Sequence, residues 1–96
     1  MIIKFSSKVA SNIFDGINSR YSRRLPIELH GKAQKLLDQI NACTRVETLR
    51  VPPGNNLESL RGNLEGFWSI RINQQWRIIF RFEAGNASDV DIVDYH

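Results

Sequence analysis

The chain has 96 residues, a formal net charge of +3 and 42% hydrophobic residues, which is enough for one small domain with a single core. Its longest apolar run is too short to cross a bilayer, and its first residues lack the basic and apolar segments of a secretory signal. The lone cysteine, Cys43, cannot form an internal disulfide and suits a reducing cytosol. With two histidines and one cysteine widely separated, the sequence predicts neither a metal site nor a cofactor.

The positive charge is concentrated in the first two thirds of the chain. Residues 1–61 hold ten lysines and arginines against five acidic residues, a net charge of +5, whereas residues 62–96 hold three against five, a net charge of −2. A basic surface attracts phosphates regardless of nucleotide sequence. Solvated helix faces are the other explanation of such charge runs, and composition permits either.

The first half of the chain predicts a short strand and two helices. Residues 2–5 are strand-like, and Ser6 or Ser7 is a suitable N-cap for a helix that ends near Gly16. Pro26 suits the start of a second helix, because its missing N–H costs little there. That helix is expected to end around residues 42–44, and its apolar stripe consists of Leu29, Ala33, Leu36, Leu37 and Ile40.

The second half predicts an antiparallel meander of three strands. After a proline-containing loop at residues 52–56, apolar residues alternate with polar ones from residue 67 to 73 and again from 76 to 83. Residues 73–75 and 84–87 are predicted turns, and residues 88–95 form the last strand. The order of elements predicts an α+β fold with both helices packed on one face of the sheet, in a single domain spanning residues 1–96.

The alternation in the middle strand of the meander separates core residues from polar ones. Trp76 and Ile78 are predicted to point into the core, so Arg77 points from the opposite face. A short turn makes this strand a neighbour of the last one, which places Arg77 near the C-terminal residues. The sequence does not fix the register, so it leaves open which of those residues faces Arg77.

Several segments together resemble the HigB toxins of the RelE/ParE superfamily of bacterial toxin–antitoxin systems. The similarity is dense over residues 49–96 and looser over the first half. The segments that carry it are the basic loop around residues 20–24, Pro52-Pro53-Gly54-Asn55, Asn56-Leu57-Glu58-Ser59-Leu60-Arg61-Gly62, Glu65-Gly66-Phe67-Trp68-Ser69-Ile70-Arg71, Asn73-x-x-Trp76-Arg77 and the terminal Asp94-Tyr95-His96.

This resemblance implies a RelE-like fold and a small cytoplasmic endoribonuclease that cuts mRNA in the ribosomal A site. It also implies a helix-turn-helix antitoxin, HigA, through which alone the toxin would meet operator DNA. RNA cleavage without a metal uses the 2′-hydroxyl of the substrate as nucleophile. Such a site must remove the 2′ proton, stabilise charge on the phosphate and protonate the leaving 5′-oxygen.

The candidate catalytic residues follow from these three tasks. Arg77 is assigned to the phosphate, because a guanidinium stays charged and can hold two phosphate oxygens. His96 is assigned as the proton donor, since imidazole changes charge near neutral pH. Asp94 can orient His96, accept the 2′ proton or pair with Arg77, and Tyr95 can stack on a base or bind the phosphate.

The identity of the general base stays open in the sequence. Arg61 stands where several relatives carry lysine, and arginine is a poor base because it is effectively never deprotonated. Glu58 stands where some relatives carry histidine, and it can take the base role if it faces the site. The residues predicted to contact RNA or the ribosome are Arg71 and the loop arginines Arg20, Arg23 and Arg24.

Two other functions are compatible with the same superfamily, because a fold does not determine an activity. One is a ParE-like toxin that inhibits DNA gyrase by binding. The other is an attenuated toxin that acts with its antitoxin as a co-repressor. The combination of Arg77 with the terminal Asp94-Tyr95-His96 favours the nuclease, since a binding inhibitor does not need these groups together.

Overall fold

A computed structural model describes residues 1–94 and shows an α+β fold, as predicted. Two helices precede a four-stranded antiparallel sheet whose strand order follows the chain, β1-β2-β3-β4. The helices are α1 (Lys8–Asp15) and α2 (His30–Ala42). The strands are β1 (Glu58–Ser59), β2 (Trp68–Arg71), β3 (Trp76–Glu83) and β4 (Asn86–Asp94).

Helix α1 begins and ends at the residues that the sequence indicates. The hydroxyl of Ser7 accepts a hydrogen bond from the N–H of Ala10 at 3.2 Å, which satisfies one of the unpaired donors of the first turn. Gly16 ends the helix in the left-handed conformation, with φ of 72°, and its N–H bonds back to the last turn. Val9 and Ile13 are buried on the inner side of the helix.

Helix α2 is entered through a 3₁₀ turn, Ile27–Leu29, which directly follows Pro26. The helix ends at Ala42, with Cys43 as its extended C-cap, so the predicted end is confirmed. Its buried stripe consists of Ala33, Leu36, Leu37 and Ile40. In the part of the chain that the structure describes, neither helix is long and apolar enough to span a membrane.

The sheet contains the predicted meander and one additional short strand. Strands β2 and β3 are joined by the predicted turn, in which the side chain of Asn73 accepts hydrogen bonds from the N–H groups of Gln75 and Trp76. Strand β4 begins at Asn86, two residues before the predicted start. Strand β1 pairs with β2 and has only two residues, too few to produce a recognisable period in the sequence.

The N-terminal segment runs parallel to β4 but does not form the regular strand that residues 2–5 predict. Ile2 forms a bridge to Ala87 and Phe5 forms one to Val90, and both bridges are isolated. Between these two contact points β4 contains a bulge, where Asp89 has a φ of 50°. The bulge explains the interruption, because an extra residue locally disrupts the ladder.

Both helices pack on one face of the sheet, and the core lies between them. Ile70, Ile78 and Phe80 have no exposed surface and form one cluster with the buried residues of α1 and α2. Trp68 and Trp76 are partly buried against the same cluster. The opposite face of the sheet carries no helix and bears the polar residues of β2 and β3.

Candidate active site

The helix-free face of the sheet carries a cluster of polar side chains that comes from three adjacent strands. Ser69 lies between Glu58 on β1 and Ile79 on β3, and Arg77 lies next to Arg71 on β2. Because successive side chains of a strand point to opposite faces, these residues share the face that faces away from the core. Cross-strand register therefore assembles the cluster from residues up to 19 positions apart.

Arg77 is the centre of this cluster. Its side chain is only 13% exposed, and its Nη1 donates a hydrogen bond to the hydroxyl of Ser69 at 3.1 Å. Its Nη2 lies 3.7 Å from Oε1 of Glu58, whose side chain is 46% exposed. The guanidinium is thus held across β2, at the base of a surface that remains open on the Glu58 side.

Glu58 owes its position to the additional strand β1. Pairing with Ser69 places Glu58 on the edge strand, directly beside β2, and Nδ2 of Asn56 donates a hydrogen bond to its Oε1 at 3.2 Å. Asn56 has a left-handed backbone, with φ of 50°, a conformation that asparagine tolerates better than most residues. Glu58 therefore lies in the polar cluster and not in a solvated loop, the other location that the sequence allowed.

A second arginine stands directly opposite the first. Arg71 and Arg77 are cross-strand neighbours, an arrangement that is destabilising for like charges. The Nε of Arg71 donates a hydrogen bond to the carbonyl of Asn73 at 3.2 Å. Two guanidinium groups on adjacent strands form a positive surface that suits an anionic backbone.

Of the four other predicted catalytic residues, the structure describes two, Arg61 and Asp94. Arg61 is exposed ahead of a 3₁₀ turn, and within residues 1–94 its side chain makes no hydrogen bond or ion pair. Asp94 pairs with Trp76, so alternation assigns it to the helix-bearing face, and its carboxylate accepts a hydrogen bond from Gln75 at 3.0 Å. Tyr95 and His96 lie outside the described residues.

The loop arginines form a separate basic region between the two helices. Arg20 stacks on the ring of Tyr21 at 4.9 Å and donates to its hydroxyl, and Arg23 donates to the side chain of Asn18. Arg24 is exposed and lines a cavity of about 410 Å³ beside the last residues of β4. Two of the three side chains are therefore held by neighbours, while all three stay accessible to solvent.

Two residues of the cluster were not among the sequence-based candidates. Ser69 is fully buried beneath Arg77, and Asn56 binds Glu58. The alternation of β2 contained the signal for Ser69, since Ser69 and Arg71 share a face. The sequence contained no signal for Asn56, because its contact with Glu58 depends on β1, a strand of only two residues. Within residues 1–94, no group of three or more His, Cys, Asp or Glu side chains is placed to hold a metal ion.

Comparison with known proteins identifies the family. Residues 3–96 match the family model of the HigB-like toxins, described as RelE-like toxins of type II toxin–antitoxin systems. The chain is 33% identical over 87 residues to toxin HigB-1 of Vibrio cholerae, covering 91% of this chain and 90% of that protein. It is 45% identical over 40 residues to endoribonuclease HigB of Proteus vulgaris, covering 42% of this chain and 44% of that protein.

Solved structures share the fold at lower identity. The YoeB–YefM toxin–antitoxin complex from Staphylococcus aureus contains a chain that matches with a TM-score of 0.62 and 24% identity, over 100% of this chain and 95% of that one. YafQ from Escherichia coli matches with a TM-score of 0.59 and 13% identity, over 98% of this chain and 91% of that one. The resemblance found in the sequence is confirmed: the chain belongs to the HigB-like family, the RelE-like toxins of type II toxin–antitoxin systems, and its partner is an antitoxin.

Proposed function

We propose that this toxin is an endoribonuclease that cuts mRNA on the helix-free face of its sheet. The observation that carries the proposal is the cluster in which Arg77 lies between Ser69 and Glu58. The endoribonuclease HigB of Proteus vulgaris, which is 45% identical over 40 residues, supports RNA as the substrate. In the proposed reaction the 2′-oxygen attacks the adjacent phosphorus and the bond from phosphorus to the 5′-oxygen breaks. The products are a 2′,3′-cyclic phosphate and a 5′-hydroxyl.

Arg77 binds the phosphate in this reaction, and Glu58 accepts the 2′ proton. The 2′-hydroxyl lies on the ribose whose 3′-oxygen carries the phosphorus that it attacks, so the base and the phosphate-binding group must be neighbours. A distance of 3.7 Å between Glu58 and Arg77 meets this requirement. Arg61 cannot serve as the base, because a guanidinium is effectively never deprotonated. Arg61 is left with charge stabilisation, and Asp94 on the other face is left with an orienting role.

The remaining task is protonation of the leaving 5′-oxygen. We assign it to His96 on the chemistry of its imidazole, with Tyr95 as a contact to a base or to the phosphate. Arg71 extends the positive surface along the RNA, since it stands beside Arg77 on the same face. No role in the proposed reaction requires a cofactor.

The proposed setting is the A site of a translating ribosome in the bacterial cytoplasm. The exposed loop arginines Arg20, Arg23 and Arg24 offer a second basic surface for ribosomal RNA. The proposed partner is a HigA-like antitoxin with a helix-turn-helix domain, and contact with operator DNA occurs only through it.

Primer extension on mRNA in a reconstituted translation system tests this function. We expect cuts within codons when ribosomes are translating, and none on the same mRNA without ribosomes. The cuts are expected to fall to a small residual level in Arg77→Ala and to weaken strongly in Glu58→Gln. Intact mRNA together with inhibition of DNA gyrase would contradict the proposal and support the ParE-like alternative.

A further inference from the structure

Ser69 is an unusual residue for the centre of this face. Its side chain is completely buried although it is polar, and its hydroxyl accepts the hydrogen bond from Nη1 of Arg77 at 3.1 Å. Its cross-strand neighbours are Glu58 on one side and Ile79 on the other. Ser69 therefore lies beneath the ion pair that joins β3 to β1.

The path of the Arg77 side chain explains why position 69 matters. Arg77 belongs to the row that also contains Arg71 and Val93, whereas Ser69 and Glu58 belong to the next row. To reach Glu58, the guanidinium crosses diagonally over β2, and Ser69 is the residue that it crosses. A small side chain at this position leaves room for the crossing, and a hydroxyl supplies an acceptor in the middle of it.

The contact also opposes two tendencies that would move the guanidinium. An unrestrained arginine side chain samples many rotamers, so holding the guanidinium in one of them costs conformational entropy. The like charge of Arg71, directly opposite on β2, repels Arg77 from its own row. A fixed acceptor beneath the guanidinium restricts its rotamers and holds it on the Glu58 side.

We infer that Ser69 is a positioning residue that holds Arg77 over β2, so that one guanidinium meets both Glu58 and the scissile phosphate. Ser69 does not touch the substrate and acts only through Arg77. The inference rests on the proposed function, because it needs Arg77 to bind the reacting phosphate.

A double-mutant cycle with single-turnover kinetics tests this role. Ser69→Ala and Arg77→Ala are made separately and together, and cleavage on translating ribosomes is followed by primer extension with the toxin in excess. Ser59→Ala is the matched control, because Ser59 is exposed and pairs with Trp68 on the opposite face. Thermal unfolding of each variant shows whether the fold is retained.

We expect Ser69→Ala to lower the cleavage rate at saturation about 10-fold to 100-fold, the effect of one hydrogen bond to a charged group, and to change KM about twofold at most. In the Arg77→Ala background the same change is expected to have no further effect. Ser69→Thr, which restores the hydroxyl, is expected to recover most of the rate lost in Ser69→Ala.

Two results would overturn the inference. One is a Ser69→Ala rate equal to that of Ser59→Ala while Arg77→Ala keeps only a small residual rate, which leaves the proposed function intact. The other is a loss in Ser69→Ala that adds in full to the loss in Arg77→Ala, which indicates a role independent of the guanidinium. Wild-type cleavage by Arg77→Ala would refute the proposed function as well, so the two failures are distinguishable.

Discussion

Replacing Glu58 by glutamine separates the chemical role of this residue from its structural role. Glutamine keeps the size of the side chain and an oxygen that can accept the hydrogen bond from Asn56. It removes the charge and with it the ion pair to Arg77. Because the Glu58 side chain is 46% exposed, solvent screens this pair, and its loss costs about 0.2–1 kcal/mol of folding free energy. For a chain of this length we expect the melting temperature to fall by no more than about 4–8 °C.

The effect of Glu58→Gln on cleavage is expected to be much larger. A general base contributes about 10²–10⁴-fold, which corresponds to about 2.7–5.5 kcal/mol at 1.36 kcal/mol per tenfold change. The assay is single-turnover cleavage on translating ribosomes at saturating toxin, with melting temperatures measured on the same samples. Glu83→Gln, the same substitution at the exposed end of β3, is the matched control and is expected to cleave at the wild-type rate. Glu58→Gln cleaving as fast as Glu83→Gln would refute the assignment of the base.

Three further predictions concern binding, stability and thiol reactivity. Arg71→Ala removes one proposed phosphate contact, so it is expected to raise KM with little change in kcat and to reduce the slope of log KM against log salt by about 1. An unchanged salt slope would contradict this role of Arg71. Phe80 is fully buried in the core, and Phe80→Ala is expected to lower the free energy of unfolding, measured in urea titrations, by about 3–5 kcal/mol. A loss below about 1 kcal/mol would contradict the place of Phe80 in the core. Burial raises the pKa of the Cys43 thiol, so we expect alkylation at pH 8 to be slower in the folded protein than in urea, and equal rates would contradict the partial burial of Cys43.

The sequence predicted the elements whose periods extend over several turns or residues. The apolar stripe of α2 and the alternation of β3 each repeat one pattern over many residues, and the structure has both. The ends of α1 were predicted from cap residues with a specific backbone geometry, and these too are present in the structure. The N-terminal strand was wrong in detail, because the bulge at Asp89 interrupts its pairing with β4. That bulge depends on a single backbone conformation, which hydrophobic patterning does not reveal.

The candidate site was predicted in composition but not in arrangement. Arg77 and Glu58 were both candidates, and the sequence left open whether Asp94 pairs with Arg77, orients His96 or accepts the 2′ proton. The structure pairs Arg77 with Glu58, since the register of β1 and β2 places Glu58 beside Ser69. Register depends on strand pairing across distant segments, and a shift of one residue would reverse every side chain.

The chemical nature of the RNA ends tests the central claim most directly. Wild-type toxin is added to translating ribosomes, and the cut mRNA is analysed for its terminal groups beside a sample treated with Arg77→Ala. Attack by the 2′-hydroxyl at the Arg77 cluster predicts a 2′,3′-cyclic phosphate and a 5′-hydroxyl with the wild type, and only residual cutting with the variant. A 3′-hydroxyl with a 5′-phosphate, or undiminished cutting with Arg77→Ala, would contradict the account.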